Sequence, residues 1–466
     1  MTRNAWPPHA TVWRWHFYAG VLCIPFVLWL AATGSIYLFK PQIDLWLDRP
    51  YEGLALSGPP ASASAQVSAA LAAVPGSVLH SYELPRTSSS AVQVLVGHGA
   101  DLERAYVHPQ TLRVLRVVDE DSRFTNQIFH LHGELMAGDR GSLVVETAAS
   151  WTIVMLITGL YLWWPSGASG MAGVVYPRMA RTGRLFWRDI HAVTGFWVTF
   201  FALFLLLSGL PWAKSWGGLL QEVRQWGTSA SARQDWTTGR SSELAQRRTA
   251  LAPPTGAAEG EHVQHHHGDM QGSAAAGLGN YNALDALVRL VRSAGLQPPV
   301  LISPPSQANT TWTAKSDTQN RPLRVELTLD SARPAILSRH GFSSKPLLDR
   351  VIDTGIAAHE GQLFAPLNQL LGLFTAISLW FVCISAIVMW WRRRPAGLLG
   401  APPPSPDRAS WSLGVILVAL VLGGIFPMMG GTLLAVWAIE WAVLRRWAAA
   451  RTFLGLSVPV ALSRRS

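Results

Sequence analysis

"WHFYAGVLCIPFVLWLAATGSIYLF", residues 15–39, decides the reading of this chain, because its pattern returns as "IHAVTGFWVTFFALFLLLSGLPWA" at 190–213. Both stretches hold a His, a Gly four residues later (Gly20, Gly195) and a hydroxyl–Gly pair (Thr33-Gly34, Ser208-Gly209). The offsets agree, since 34 − 16 equals 209 − 191. Each is long and apolar enough for the ~20 residues that a bilayer demands. The first begins with basic residues like a signal peptide, but its apolar stretch from Phe17 to Phe39 is too long for that, so a retained span is expected.

A second element repeats as well. "FHLHGELMAGDRGSLVVETAASWTIVMLITGLYLWWP" and "AHEGQLFAPLNQLLGLFTAISLWFVCISAIVMWWRRRP" each carry a His ahead of an apolar run that ends in Trp-Trp, and 163 − 132 equals 390 − 359. His16 therefore corresponds to His191, and His132 to His359. His130 has no counterpart. It lies two residues from His132 and so points about 200° away on an ideal helix.

Composition agrees with a membrane protein: 49% hydrophobic residues and only 14% charged ones depart from the soluble average. Many of the 22 Trp stand at the ends of apolar runs, where amphipathic rings favour the headgroup level. The net charge of +10 comes from arginines that flank these runs (Arg3 and Arg14; Arg178, Arg181, Arg184 and Arg188; Arg392, Arg393 and Arg394; Arg445 and Arg446). That is a positive-inside pattern and gives no nucleic-acid stripe. The two cysteines, Cys23 and Cys383, lie inside apolar runs, where a disulfide framework is not expected, and no C-x-x-C-H offers covalent haem attachment.

Six spans are expected, at about 16–39, 142–164, 191–212, 363–391, 411–427 and 430–447. Placing the arginine-rich loops inside puts the N-terminus in the cytoplasm and two long segments outside. Each outer segment reads as one helix followed by short strands. In the first these are "ASAQVSAALAAVP", then "SVLHSYELP", "SAVQVLVG", "LERAYVHP" and "LRVLRVV". In the second they are "NYNALDALVRLVRSAG", then "PVLISPP", "NTTWTAKS", "PLRVELTLD" and "PAILSRH". Residues 228–279, rich in Ser, Ala, Gly, Gln and Thr, read as a flexible insert.

Because the halves run in the same direction, His16 and His191 are expected at the inner ends of their helices, and His132 and His359 at the outer ends. A single His at a helix end is ordinarily an interfacial or hydrogen-bonding residue. Four at two matched depths are what two bis-histidine haem sites stacked across a membrane require: imidazole is an ordinary haem ligand, and a helical bundle offers an apolar slot.

The quoted blocks resemble the PepSY-associated transmembrane family, which includes the iron-regulated ferric-siderophore reductases of bacterial inner membranes. The likeness covers roughly residues 10–395. Together with the six apolar runs it points to a membrane α-helical bundle of about six spans, with a four-helix haem-binding core from two direct repeats and two small periplasmic α/β PepSY-like modules. The expected boundaries are 10–40, 129–165, 189–212 and 358–394 for the core spans, 41–128 and 213–357 for the modules, 166–188 for a cytoplasmic loop, 410–447 for a C-terminal hairpin and 448–466 for a tail.

The resemblance further implies an oxidoreductase with two haem b, ligated by His16, His191, His132 and His359, that passes electrons to a periplasmic ferric siderophore. His130 is left as a neighbour that hydrogen-bonds a ligand or faces the substrate. No G-x-G-x-x-G follows a strand, so the electron donor is expected to be a cytoplasmic partner or a quinol. Two features depart from the family pattern: the spans after residue 410, and "EHVQHHHGDM" at 261–270. In the latter, His262, His265, His266, His267 and Met270 suit Cu or Ni, or else belong to a solvated loop. The rival functions are thus metal capture or copper reduction through that loop, and a non-enzymatic peptide-binding or regulatory role for the modules.

Overall fold

A computed structural model describes residues 7–164, 170–227, 241–251, 281–306, 311–403 and 413–456. Its helices are α1 (His9–Tyr37), α2 (Lys40–Leu47), α3 (Ala63–Ala73), α4 (Phe124–Glu134), α5 (Gly138–Trp163), α6 (Gly183–Gly209), α7 (Lys214–Gly227), α8 (Ser241–Leu251), α9 (Ala283–Ser293), α10 (Leu347–His359), α11 (Leu367–Arg393), α12 (Leu413–Ile425), α13 (Pro427–Ile439) and α14 (Ala448–Phe453). The strands are β1 (Val78–Glu83), β2 (Val92–His98), β3 (Asp101–Val107), β4 (Val114–Asp119), β5 (Val300–Ser303), β6 (Trp312–Ser316), β7 (Glu326–Asp330) and β8 (Ala335–His340). They form two compact units: a helical unit of Met1–Leu38, Leu131–Arg240 and Leu370–Ser466, and a sheet unit of Phe39–His130 and Ser241–Gln369.

In the helical unit, hydrocarbon offers no partner for backbone amides, so the apolar runs close their hydrogen bonds internally as helices. Five helices among the described residues are long and apolar enough to cross a membrane: His9–Tyr37, Gly138–Trp163, Gly183–Trp212, Leu367–Arg393 and Pro427–Leu444. This is the build of a multi-pass membrane protein. Helix α5 packs along α1 and also meets α6, α7 and α13. Hydroxyls inside the spans turn back onto their own helices, as Thr152 does to Ala148 O at 2.7 Å and Thr375 to Leu371 O at 2.8 Å. The buried carboxylate Glu146 accepts from the backbone N–H of Ser215 (2.8 Å) and Trp216 (3.1 Å), so the start of α7 offsets its charge.

Of the span expected at 411–427, the described residues form α12, 13 residues or ~20 Å at 1.5 Å per residue, and residues 404–412 before it lie outside those described. It turns directly into α13, where Gly430 leaves room for the Gly423 carbonyl; a Cβ at Gly430 would lie 2.7 Å from that oxygen. Phe426 and Met429 at the turn pack with Ile153 and Leu210, and Trp151 Nε1 donates to Thr432 Oγ1 at 2.9 Å.

The element expected as one span over 129–165 is broken. Helix α4 ends at Glu134, and Leu135, Met136 and Gly138 all take positive φ before α5 begins. Gly141 lets α5 start against the end of α4, because a Cβ there would stand 1.6 Å from the Glu134 carbonyl oxygen. Gly141→Ala is therefore expected to cost about 2 kcal/mol or more and to lower the Tm of the full chain in detergent. An unchanged Tm would mean that α4 moves aside freely.

The sheet unit corrects the expectation of two separate modules. All eight strands form one antiparallel sheet in the order β4-β3-β2-β1-β5-β6-β7-β8. The halves join where Tyr82 faces Ile302 and Glu83 faces Leu301. Left apart, β1 and β5 would each be an open edge; pairing them satisfies both. Helices α3 and α9 bury one stripe each, Val67, Ala70 and Leu71 on the first and Leu284, Leu287 and Val291 on the second. With sheet residues such as Val94, Ile302 and Leu327 they make a single core.

The flexible insert expected at 228–279 contains α8, whose Arg248 grips Asp121 through two hydrogen bonds of 2.7 Å. A bidentate guanidinium–carboxylate pair explains why a polar, weakly patterned stretch holds a helix there.

Candidate functional site

His16 on α1 and His191 on α6 come together in the helical unit, their ring centres 6.3 Å apart and their planes at 81°. The Thr158 hydroxyl donates to Val154 O (2.8 Å), so its oxygen accepts from His16 Nδ1–H at 3.0 Å. His191 Nδ1 lies 3.0 Å from Val382 O, which only accepts, and 3.3 Å from Ser385 Oγ. The Val382 carbonyl places the His191 proton on Nδ1 and leaves the lone pair on Nε2, and His16 Nδ1 meets the Thr158 oxygen in the same way. Glycine at 159 gives the first ring its place; a Cβ there would stand 3.3 Å from His16 Cε1.

These residues fit a haem. A metal–imidazole bond of ~2 Å on each side, plus about 1 Å from nitrogen to ring centre, separates two axial imidazoles by about 6 Å. An Nδ1–H donated to a protein oxygen is the usual state of a metal-ligating His. Asp189, two residues before His191, is fully buried and receives Arg178 Nε at 2.6 Å and Arg188 Nη2 at 2.9 Å, which ties down the first turns of α6.

His132 sits in the last turns of α4 and repeats the arrangement. Thr33 donates to Trp29 O (2.9 Å) and accepts from His132 Nδ1 at 2.9 Å, while a Cβ on Gly34 would stand 3.2 Å from His132 Cε1. Trp29 Nε1 donates to Leu131 O at 3.0 Å and steadies the same turn. At the depth of Thr33, an apolar slot of about 400 Å³ opens between α1 and α11, lined by Ala32, Ser35, Ala376, Ile377, Trp380 and Phe381, with Ile384 at its end.

His359 ends α10 in the sheet unit, half-buried. It is thus in a different unit from His132, whereas His16 and His191 share one. Beside it, burial pushes the Glu360 carboxyl up, against the opposing pull of Arg321, Arg324 and Lys40.

His130 has its own surroundings. It is 8% exposed, and its Nε2 lies 4.0 Å from Asp121 Oδ1, the carboxylate that Arg248 also holds. His130 and then Arg248 keep the Asp121 carboxyl well below the usual range. His262, His265, His266, His267 and Met270 lie outside the described residues. Among the described residues no group of three or more His, Cys, Asp or Glu is placed to hold a metal ion, and Cys23 and Cys383 are free thiols.

The sequence reading missed Thr158 and Ser385. A signal was present: 158 − 132 equals 385 − 359, so the two hydroxyls occupy one position of the repeat. No curated protein matches the chain. The sequence profile of the PepSY-associated TM region matches residues 13–393, spanning both His-bearing repeats and ending before α12. Four-fifths of the chain is thereby covered, and this protein belongs to the PepSY-associated TM region family.

Proposed function

We propose that this chain is a b-type dihaem oxidoreductase of the bacterial inner membrane that reduces ferric-siderophore chelates on the outer side. The observation that supports this most is the 6.3 Å separation of the His16 and His191 rings, with Nδ1 of each within 3.0 Å of a protein oxygen. His16 and His191 would hold one group, and His132 would be a ligand of the other. When bound, haem supplies one-electron transfer. The protein's own part is to present Nε2 lone pairs at fixed positions and to surround them with apolar helices that exclude water. On this reading the arginine-flanked ends of the spans face the cytoplasm and the sheet unit faces the periplasm, where the chelate docks. Reduction of the substrate iron from Fe(III) to Fe(II) weakens its hold on hard oxygen donors and releases it. The electrons come from a cytoplasmic carrier or a quinol.

Reduced-minus-oxidised spectra of the purified full chain test this. A Soret band and a sharp α-band on dithionite reduction are expected, followed by faster reoxidation with ferric hydroxamate than with Cu(II). Protein without a Soret band would sink the haem reading. Faster reoxidation by Cu(II) would replace the siderophore substrate with copper.

A further inference from the structure

We infer that two hydroxyls, Thr158 and Thr33, are positioning residues that fix the proton on Nδ1 of His16 and His132 and so set the basicity of Nε2, while the Val382 carbonyl serves His191 with Ser385 behind it. The inference rests on the haem reading above.

Each hydroxyl lies within hydrogen-bond distance of a carbonyl of its own helix, and on this inference its hydrogen goes there. Thr158 donates to Val154 O, Thr33 to Trp29 O, and Ser385 to Val382 O, at 2.8, 2.9 and 2.8 Å. What remains for the imidazole is an oxygen lone pair, which accepts from N–H and cannot donate to a bare nitrogen. The helix backbone therefore dictates the tautomer through the hydroxyl. Ser208, at the repeat position of Thr33, donates to Phe204 O at 2.7 Å and is wired in the same way. Nothing in a generic membrane helix demands this, since a Ser or Thr satisfied by its own carbonyl needs no second partner.

The two histidines of the close pair are not held alike. His16 Nδ1 meets the Thr158 hydroxyl, whereas His191 Nδ1 meets the backbone carbonyl of Val382 at 3.0 Å, with Ser385 more distant at 3.3 Å. Side-chain substitution removes the first acceptor and leaves the second. A hydrogen bond from Nδ1 raises the basicity of the ligand and so favours the ferric form.

Thr158→Val keeps the shape and removes the acceptor. It is expected to raise the midpoint potential of one of two spectrally resolved haems and to weaken haem retention by about 10-fold. Thr158→Ser should restore both, and Ser385→Ala should leave both near wild type because Val382 O persists. Thr33→Val should move the other haem and spare the first. Should Thr158→Val not fold, Thr158→Ala is measured in its place, with the same expected direction. A haem-loaded Thr158→Val protein with an unchanged midpoint would overturn the inference, as would Ser385→Ala matching it in effect. Wild-type protein that binds no haem would instead overturn the reading on which the inference rests.

Discussion

His191→Ala is expected, on the proposed dihaem function, to remove about half of the haem absorbance of the purified protein, because one imidazole alone would not hold the group between α1 and α6. His16 and His191 face each other at 6.3 Å, so either one deleted leaves a single imidazole opposite an empty space. His16→Ala should therefore give the same loss, and the double variant no more than either single one, since residues that act as one unit are not additive. Adding His132→Ala to His191→Ala should remove what remains. Haem content per chain reads all of these outcomes. If the double variant lost twice what each single one loses, His16 and His191 would be serving different groups.

Arg104→Met is expected to destabilise the sheet unit by about 3–5 kcal/mol near neutral pH, the range found when one partner of a buried ion pair is removed. Arg104 is 9% exposed. Its guanidinium reaches Glu83 at 2.6 Å, Glu120 at 2.7 Å and the Gln93 side chain at 2.6 Å. Met fills similar volume but leaves two carboxylates without that cation. The pH dependence should also invert. In the wild type, burial would raise the Glu120 carboxyl, but Arg104 outweighs it and holds the group down to about 2. The wild-type contribution is thus fully present above the ordinary value of about 4.5 and lost as pH falls toward about 2. In the variant, burial acts with less opposition and the carboxyl moves up, so stability is lost as pH rises. The two melting curves of the full chain in detergent should be far apart near neutral pH and converge in acid. A constant gap at every pH would show that Arg104 acts through packing alone.

Much of the fold is written in local pattern. Apolar runs of bilayer length mark α1, α5, α6 and α11, and their shared offsets expose the doubling. Alternation marks the strands: β6 and β7 bury every second residue, as a half-covered sheet does. The break between α4 and α5 is less legible, because Leu135 and Met136 take positive φ that their residue types do not announce. Helix α8 was hidden for a different reason. Its hold on the unit runs through Arg248 and Asp121, 127 residues apart, so no window along the chain contains both.

What the sequence alone determined is class and spacing. It identified a multi-pass membrane chain, a direct repeat, and four histidines at two matched positions, because apolar period and spacing are properties of the chain read in one dimension. Only the tertiary structure decided who faces whom. It set His16 against His191, gave His130 to Asp121 rather than to His132's hydroxyl partner, supplied Thr158 and Val382 as acceptors, and joined two expected modules through β1 and β5. A repeat fixes how far along a helix a side chain lies, but angular facing and edge pairing depend on which distant backbone group satisfies each donor and acceptor.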